Sequence, residues 1–106
     1  MRKAIAVAVL LGVCSTAFAQ WDDVNYSASL PADAVYCDGQ GSLEDFASFV
    51  QDGDNSGAMR MIASGDCAMT SKAMNVQVFQ EESVQEFVTF LSPSGKAFYT
   101  LKGYLK

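Results

Sequence analysis

The sequence predicts a small α+β domain in which two short N-terminal helices pack on an antiparallel meander of three or more strands, stapled by one disulfide. Three observations carry this expectation. Residues 42–64 place apolar side chains at helical spacing. Residues 74–101 turn to alternating and β-branched texture broken by turn signals. Two cysteines, Cys37 and Cys67, follow the apolar leader.

The leader comes first. Arg2 and Lys3 precede an apolar run over residues 4–13, and Ala17-Phe18-Ala19 is an A-x-A cleavage signal. A basic start, a run too short to span a bilayer and small residues at the cut define a secretory signal peptide over residues 1–19. Cys14 raises a lipoprotein alternative. Val13 fits poorly where a lipidation signal holds Gly, Ala or Ser, and Ala19 offers a better cut downstream. The expected protein is periplasmic or secreted after cleavage near Ala19, with no second stretch of spanning length.

Taking the 19 leader residues from 106 leaves 87, with five Lys or Arg against twelve Asp or Glu. That is one small domain near the size where a single core is marginal. The acidic balance argues against nucleic acid or an anionic membrane as partner, because phosphate contacts need Lys and Arg. It suits a basic protein partner, or simple solubility. In an exported chain Cys37 and Cys67 read as a disulfide closing a loop of about 30 residues, worth roughly 3.6 kcal/mol by chain-entropy arithmetic. Their spacing is far from C-x-x-C, which excludes a redox motif.

Residues 20–41 show no sustained period and read as an extended, mostly irregular N-terminal arm. Pro31 pushes the residue before it out of the helical region, and order is expected near residues 35–37. Asp38-Gly39-Gln40-Gly41 is a turn. The small α+β domain then occupies residues 42–106. Ser42 opens a helix, with Asp45 three residues on as a variant capping box. Leu43, Phe46, Phe49 and Val50 form one apolar stripe, and Asp52-Gly53 stops it. A second helix is expected over residues 55–64 with Ala58, Met61 and Ile62 on one face. Gly65 fits as the left-handed residue past its end.

The strands follow. Residues 75–80 alternate, Glu81-Glu82-Ser83 is a polar break, and residues 84–91 are β-branched and aromatic. Ser92-Pro93-Ser94-Gly95 is a turn, and residues 97–101 complete a three-stranded meander. Apolar residues on both parities of residues 87–91 predict a middle strand covered on both faces. The succession V-x-V, a longer strand, then S-G-K-A-F-Y-T-L-K-G-Y-L resembles the strands of small bacterial SH3-like barrels. The chain also resembles small exported bacterial proteins whose helical segment ends in Gly-x-Cys before such strands. The resemblance covers residues 42–105 and implies a fold, with no family function attached.

Four constellations bear on chemistry. Asp52, Asp54 and Ser56, with Gly57 and Met59, match the first eight positions of an EF-hand loop. Position twelve is Ala63, which offers no side-chain oxygen, so the stretch reads as an inter-helix turn with Asp54 or Ser56 as cap. Met59, Met61, Met69 and Met74 are soft ligands of the kind that hold copper(I). Met59 and Met61, however, diverge by about 200° on a helix and read as packing. The chain holds no histidine, which removes Ser-His and Cys-His nucleophiles and ordinary zinc sites. Glu81, Glu82 and Glu86 are the acids a glycosidase-like pair would need, but they read as solvated turn residues. Among Phe98, Tyr99 and Tyr104, the two tyrosines are the partner-binding candidates, since each joins an apolar body to a polar tip.

The functional expectation is a non-catalytic, exported protein-binding module of the bacterial envelope, of accessory or scaffold type. No cofactor is expected, and the expected partner is another envelope protein, with a basic one suited to the acidic balance. The alternatives are an inhibitor or immunity-type protein that neutralises a cell-wall hydrolase or toxin, and a weak metal-binding carrier.

Overall fold

The computed structural model describes residues 21–106. The expected leader and cut site, Cys14 and Gln20 lie outside the described residues. In chain order the elements are β1 (Trp21–Leu30), β2 (Val35–Cys37), α1 (Gln40–Gln51), α2 (Asn55–Ser64), β3 (Cys67–Met69), β4 (Met74–Glu82), β5 (Phe87–Leu91), β6 (Ala97–Leu101) and a 3₁₀ turn (Lys102–Tyr104). The strands form one antiparallel sheet in the order β1-β4-β5-β6-β2-β3.

The class is α+β, but the helices are not N-terminal: two strands precede them. The arm expected to be irregular is a ten-residue strand paired to β4 from Trp21 opposite Glu82 to Leu30 opposite Met74. The physical reason is an alternation of Val24, Tyr26, Ala28 and Leu30, which pack against a core, with the polar Asn25, Ser27 and Ser29. The expected meander is present as β4-β5-β6 at the middle of the sheet. β1 flanks it on one side and β2 and β3 on the other.

Two core layers lie on opposite faces of this sheet. The inner layer joins Leu30, Ala34, Val76, Val78, Val88 and Phe90, with Tyr36, Phe98 and Leu105 packed against it. No helix contributes to it, so the sheet covers this face by curling on itself. Register supplies the bend. Where β5 takes the single step Thr89 to Phe90, β4 takes Gln80 to Val78 and β1 takes Asp23 to Tyr26. Each strand outward adds one residue, which is how bulges sharpen twist and turn a sheet around its inner strand. The other layer sits beneath the helices and joins Val35, Cys37, Leu43, Phe46, Ala58, Met61, Cys67 and Phe87. β5 therefore feeds both layers, and Phe87 through Phe90 are all buried, as its mixed parity predicts.

α2 has the predicted bounds. The carboxylate of Asp54 accepts a hydrogen bond from the Gly57 amide at 2.9 Å, and Gly65 ends the helix at φ 90°. α1 ends at Gln51 with Asp52 as C-cap, where Asp52-Gly53 is expected to stop it, but departs at its start. It starts two residues before Ser42 with Gly39 as N-cap and no side-chain cap, so the capping box does not form. Val50 is half exposed, and Phe49 turns in to lie on Gly57 instead. A Cβ at Gly57 would sit 2.5 Å from the Phe49 ring, so the helix pair closes only over a glycine. Cys37 and Cys67 face each other across β2 and β3 and are bonded, 30 residues apart in sequence.

Candidate binding surface

The sheet's outer face is divided. The helices lie over β2, β3 and β6, where the disulfide ties β2 to β3. Over β1 and β4 the same face carries short polar side chains that bind one another. Ser27 Oγ donates to Gln77 Oε1 at 3.0 Å, Gln77 Nε2 donates to Asn25 Oδ1, and Gln80 Nε2 reaches Asp23 Oδ1 at 3.5 Å. Beside this ladder runs an open groove of about 680 Å³ bordered by Ser29, Asn75, Gln77, Leu91, Pro93 and Lys106.

The outer edge of β1 borders this open half. Among the described residues it meets one segment: the Ser29 amide donates to the Lys106 carbonyl at 3.2 Å, and the Lys106 amide donates back to the Ser29 carbonyl at 2.9 Å. Such an exchange marks Ser29 as a residue whose backbone groups point away from β4. By the alternation of an antiparallel ladder, those of Ser27 point outward too, while those of Ala28 bond β4. No described segment covers Ser27, and the side chains of Asp22, Asp23, Asn25 and Ser27 are exposed.

At the far end of β1 and β4 stands a small charged network. The Tyr26 hydroxyl donates to Glu81 Oε2 at 2.5 Å, and Lys102 Nζ lies 3.3 Å from the same oxygen. The Tyr26 hydrogen bond, with help from Lys102, holds the Glu81 carboxyl below its ordinary value. Burial, the hydrogen bond and the neighbouring carboxylate push Tyr26 up to about 12. Glu82, expected at the solvated surface, is buried instead: its carboxylate accepts from the amides of Gln85 at 2.7 Å and Val84 at 3.1 Å. It ties the turn after β4 from within, because a buried carboxylate needs such donors. Glu86 and Val84 are exposed in that turn.

The remaining predicted residues sit elsewhere. Tyr99 is half-buried beneath the helices, its ring edge-on to Trp21 at 5.9 Å. Tyr104 is half-buried between the two core layers, and burial raises its hydroxyl above the ordinary value. Both tyrosines thus have packing roles. Asp52 and Asp54 flank the α1–α2 turn and Ser56 lies in the first turn of α2, with an oxygen of Asp54 taken up as a helix cap. Among the described residues no three His, Cys, Asp or Glu side chains gather as a metal site would require. Met61 is buried and Met59 exposed, as their angular divergence demands. The open-half residues Asp22, Asp23, Asn25, Ser27 and Gln77 are absent from the sequence-based candidates. The signal that could have found them is the period-two pattern from Val24 to Leu30.

Among the described residues no helix is long and apolar enough to cross a membrane. Comparison with family models, curated proteins and solved structures finds no match.

Proposed function

We propose that the chain is a non-catalytic protein-binding module of the bacterial envelope, accessory or scaffold in type, acting after removal of its leader. One observation carries the reading. Half of the outer sheet face is sealed by a disulfide-stapled helix pair, and the other half is left open as a shallow polar strip along a sheet edge. Small-molecule sites are enclosed clefts with apolar walls, whereas an open polar strip suits a macromolecular surface. Two of the three candidate acids are otherwise engaged, Glu81 by Tyr26 and Lys102 and Glu82 by two amides, and the third, Glu86, stands exposed in the turn, which favours binding over a paired-carboxylate mechanism.

The acidic balance supports a second reading, an inhibitor or immunity-type protein for a basic cell-wall hydrolase or toxin, because opposite charge speeds encounter. The two separate in one experiment. The purified protein is used to capture partners from envelope extract at low and moderate salt, and any hydrolase recovered is assayed with and without it. A bound protein whose activity is unchanged supports the accessory role, and slowed hydrolysis supports inhibition. Failure to retain any envelope protein overturns both.

A further inference from the structure

We propose that an extended basic segment of the partner adds as a new strand to the outer edge of β1, beyond Lys106, with Lys or Arg side chains over Asp22 and Asp23. This rests on the protein-binding reading and names how the partner is held. The geometry is already begun within the chain. Lys106 exchanges two backbone hydrogen bonds with Ser29 in the antiparallel sense, so this edge accepts an added strand. From Ser27 back to Trp21 no described segment takes up the outward backbone groups. These seven residues, bent at the register shift between Asp23 and Tyr26, span at most about 24 Å. Strand addition uses main-chain hydrogen bonds for affinity and alternate side chains for specificity.

Charge selects the occupant. Asp22 and Asp23 are exposed at the end of this edge, and Glu81 lies directly opposite Asp22 on β4. A second copy would bring the same aspartates and the same net sign, so like charge disfavours it, whereas a basic strand gains from both. The sheet's other edge, β3, has three residues from Cys67 to Met69, too short to template a partner.

The probe is the acetylated, amidated peptide Thr-Val-Thr-Val-Thr-Lys-Lys, whose adjacent lysines face opposite sides of an antiparallel added strand as Asp22 and Asp23 do, compared with its Glu-for-Lys counterpart and with a version N-methylated at alternate amides. Binding to the isotope-labelled mature protein is followed by amide chemical shifts. The Lys peptide should move the amides of residues 21–28 first and bind at least tenfold tighter than either control. Ser27→Pro removes an outward N–H that no described strand uses and should weaken binding at least tenfold. Asp22→Asn with Asp23→Asn, which leaves the backbone alone, should weaken it at low salt and abolish its salt dependence. Shifts centred elsewhere, equal binding of the Glu peptide, or full binding by a folded Ser27→Pro protein would overturn the proposal. So would a peptide-free dimer in sedimentation with the Ser27 amide protected. If Ser27→Pro still captures the envelope partner, strand addition fails and the module reading stands. If the Lys peptide binds as described but no envelope protein is captured, strand addition stands and the module reading fails.

Discussion

Over β2, β6 and the start of β5 the outer face of the sheet carries Val35, Cys37, Tyr99 and Phe87 beneath two helices. Over β1 and β4 the same face carries Asn25, Ser27 and Gln77, bonded to one another, and Gln80, which donates to Asp23, with neither core helix above them. Both halves rest on the one inner core layer. The difference teaches where this small domain keeps its stability and where it leaves its surface open. Apolar side chains in one half oblige the chain to supply a cover. Amide and hydroxyl side chains in the other satisfy themselves and leave the edge free.

The largest effect expected follows from uncovering the sealed half. Phe46 is 4% exposed in the layer beneath the helices, and Phe46→Ala should cost about 3–5 kcal/mol in urea unfolding. A loss below 1 kcal/mol would mean the helix pair is not what seals the face. Next comes the staple. Replacing Cys37 and Cys67 together by Ser should lower stability by up to about 3.6 kcal/mol. Ser27→Ala on the open half should stay within about 0.5 kcal/mol. Comparable losses from the two changes would erase the distinction between the halves.

A smaller effect sharpens the comparison at the helix turn. Asp54→Ala removes the cap on α2 and should cost about 1 kcal/mol. Because that carboxylate is engaged by the Gly57 amide, melting midpoints with excess calcium and with chelator should coincide. A midpoint rising with micromolar calcium would show an ion bound to the folded state. The smallest effect belongs to the charged network beside the open half. The Glu81 carboxyl lies below its ordinary value in the fold, so its contribution is present above the unfolded value and is lost as pH falls through the folded one. Tyr26 is raised from 10.0 to about 12, so its contribution is complete below 10.0 and is lost as pH rises toward 12. Tyr26→Phe should flatten the melting midpoint at both ends of the pH range, and an unchanged profile would show the network to be idle.

The sealed half was largely legible in the sequence. Leu43, Phe46, Ala58 and Met61 fall at helical spacing, Asp54 and Gly65 punctuate the second helix, and the Cys37–Cys67 pair is implied by compartment and count. The open half was not. Val24, Tyr26, Ala28 and Leu30 do alternate, but serine and alanine weaken the pattern and Pro31 invites reading a turn. The partner that makes it a strand is also distant, with Gln77 lying 50 residues from Ser27. Glu81 and Glu82 read as a polar break because charge usually marks the surface. β4 runs on through Glu82 because Trp21 and Phe87 pair with it on either side, while amides only two and three residues on take up its carboxylate; the cross-strand partner 61 residues away is what has no local signature. The Tyr26–Glu81–Lys102 network joins β1, β4 and the turn after β6, so it emerges only once register is set.

Native-state amide hydrogen exchange tests the division between the halves most directly. The amides of Val88, Thr89 and Phe90 should exchange only with global unfolding, as those of a strand buried on both faces do. Along β1 the Ala28 amide, turned toward β4, should be protected, while its neighbour Ser27, turned outward, should exchange near the rate of an unstructured chain. Uniform protection at both positions, undiminished on dilution, would mean that the edge is covered within the chain itself and would contradict the account.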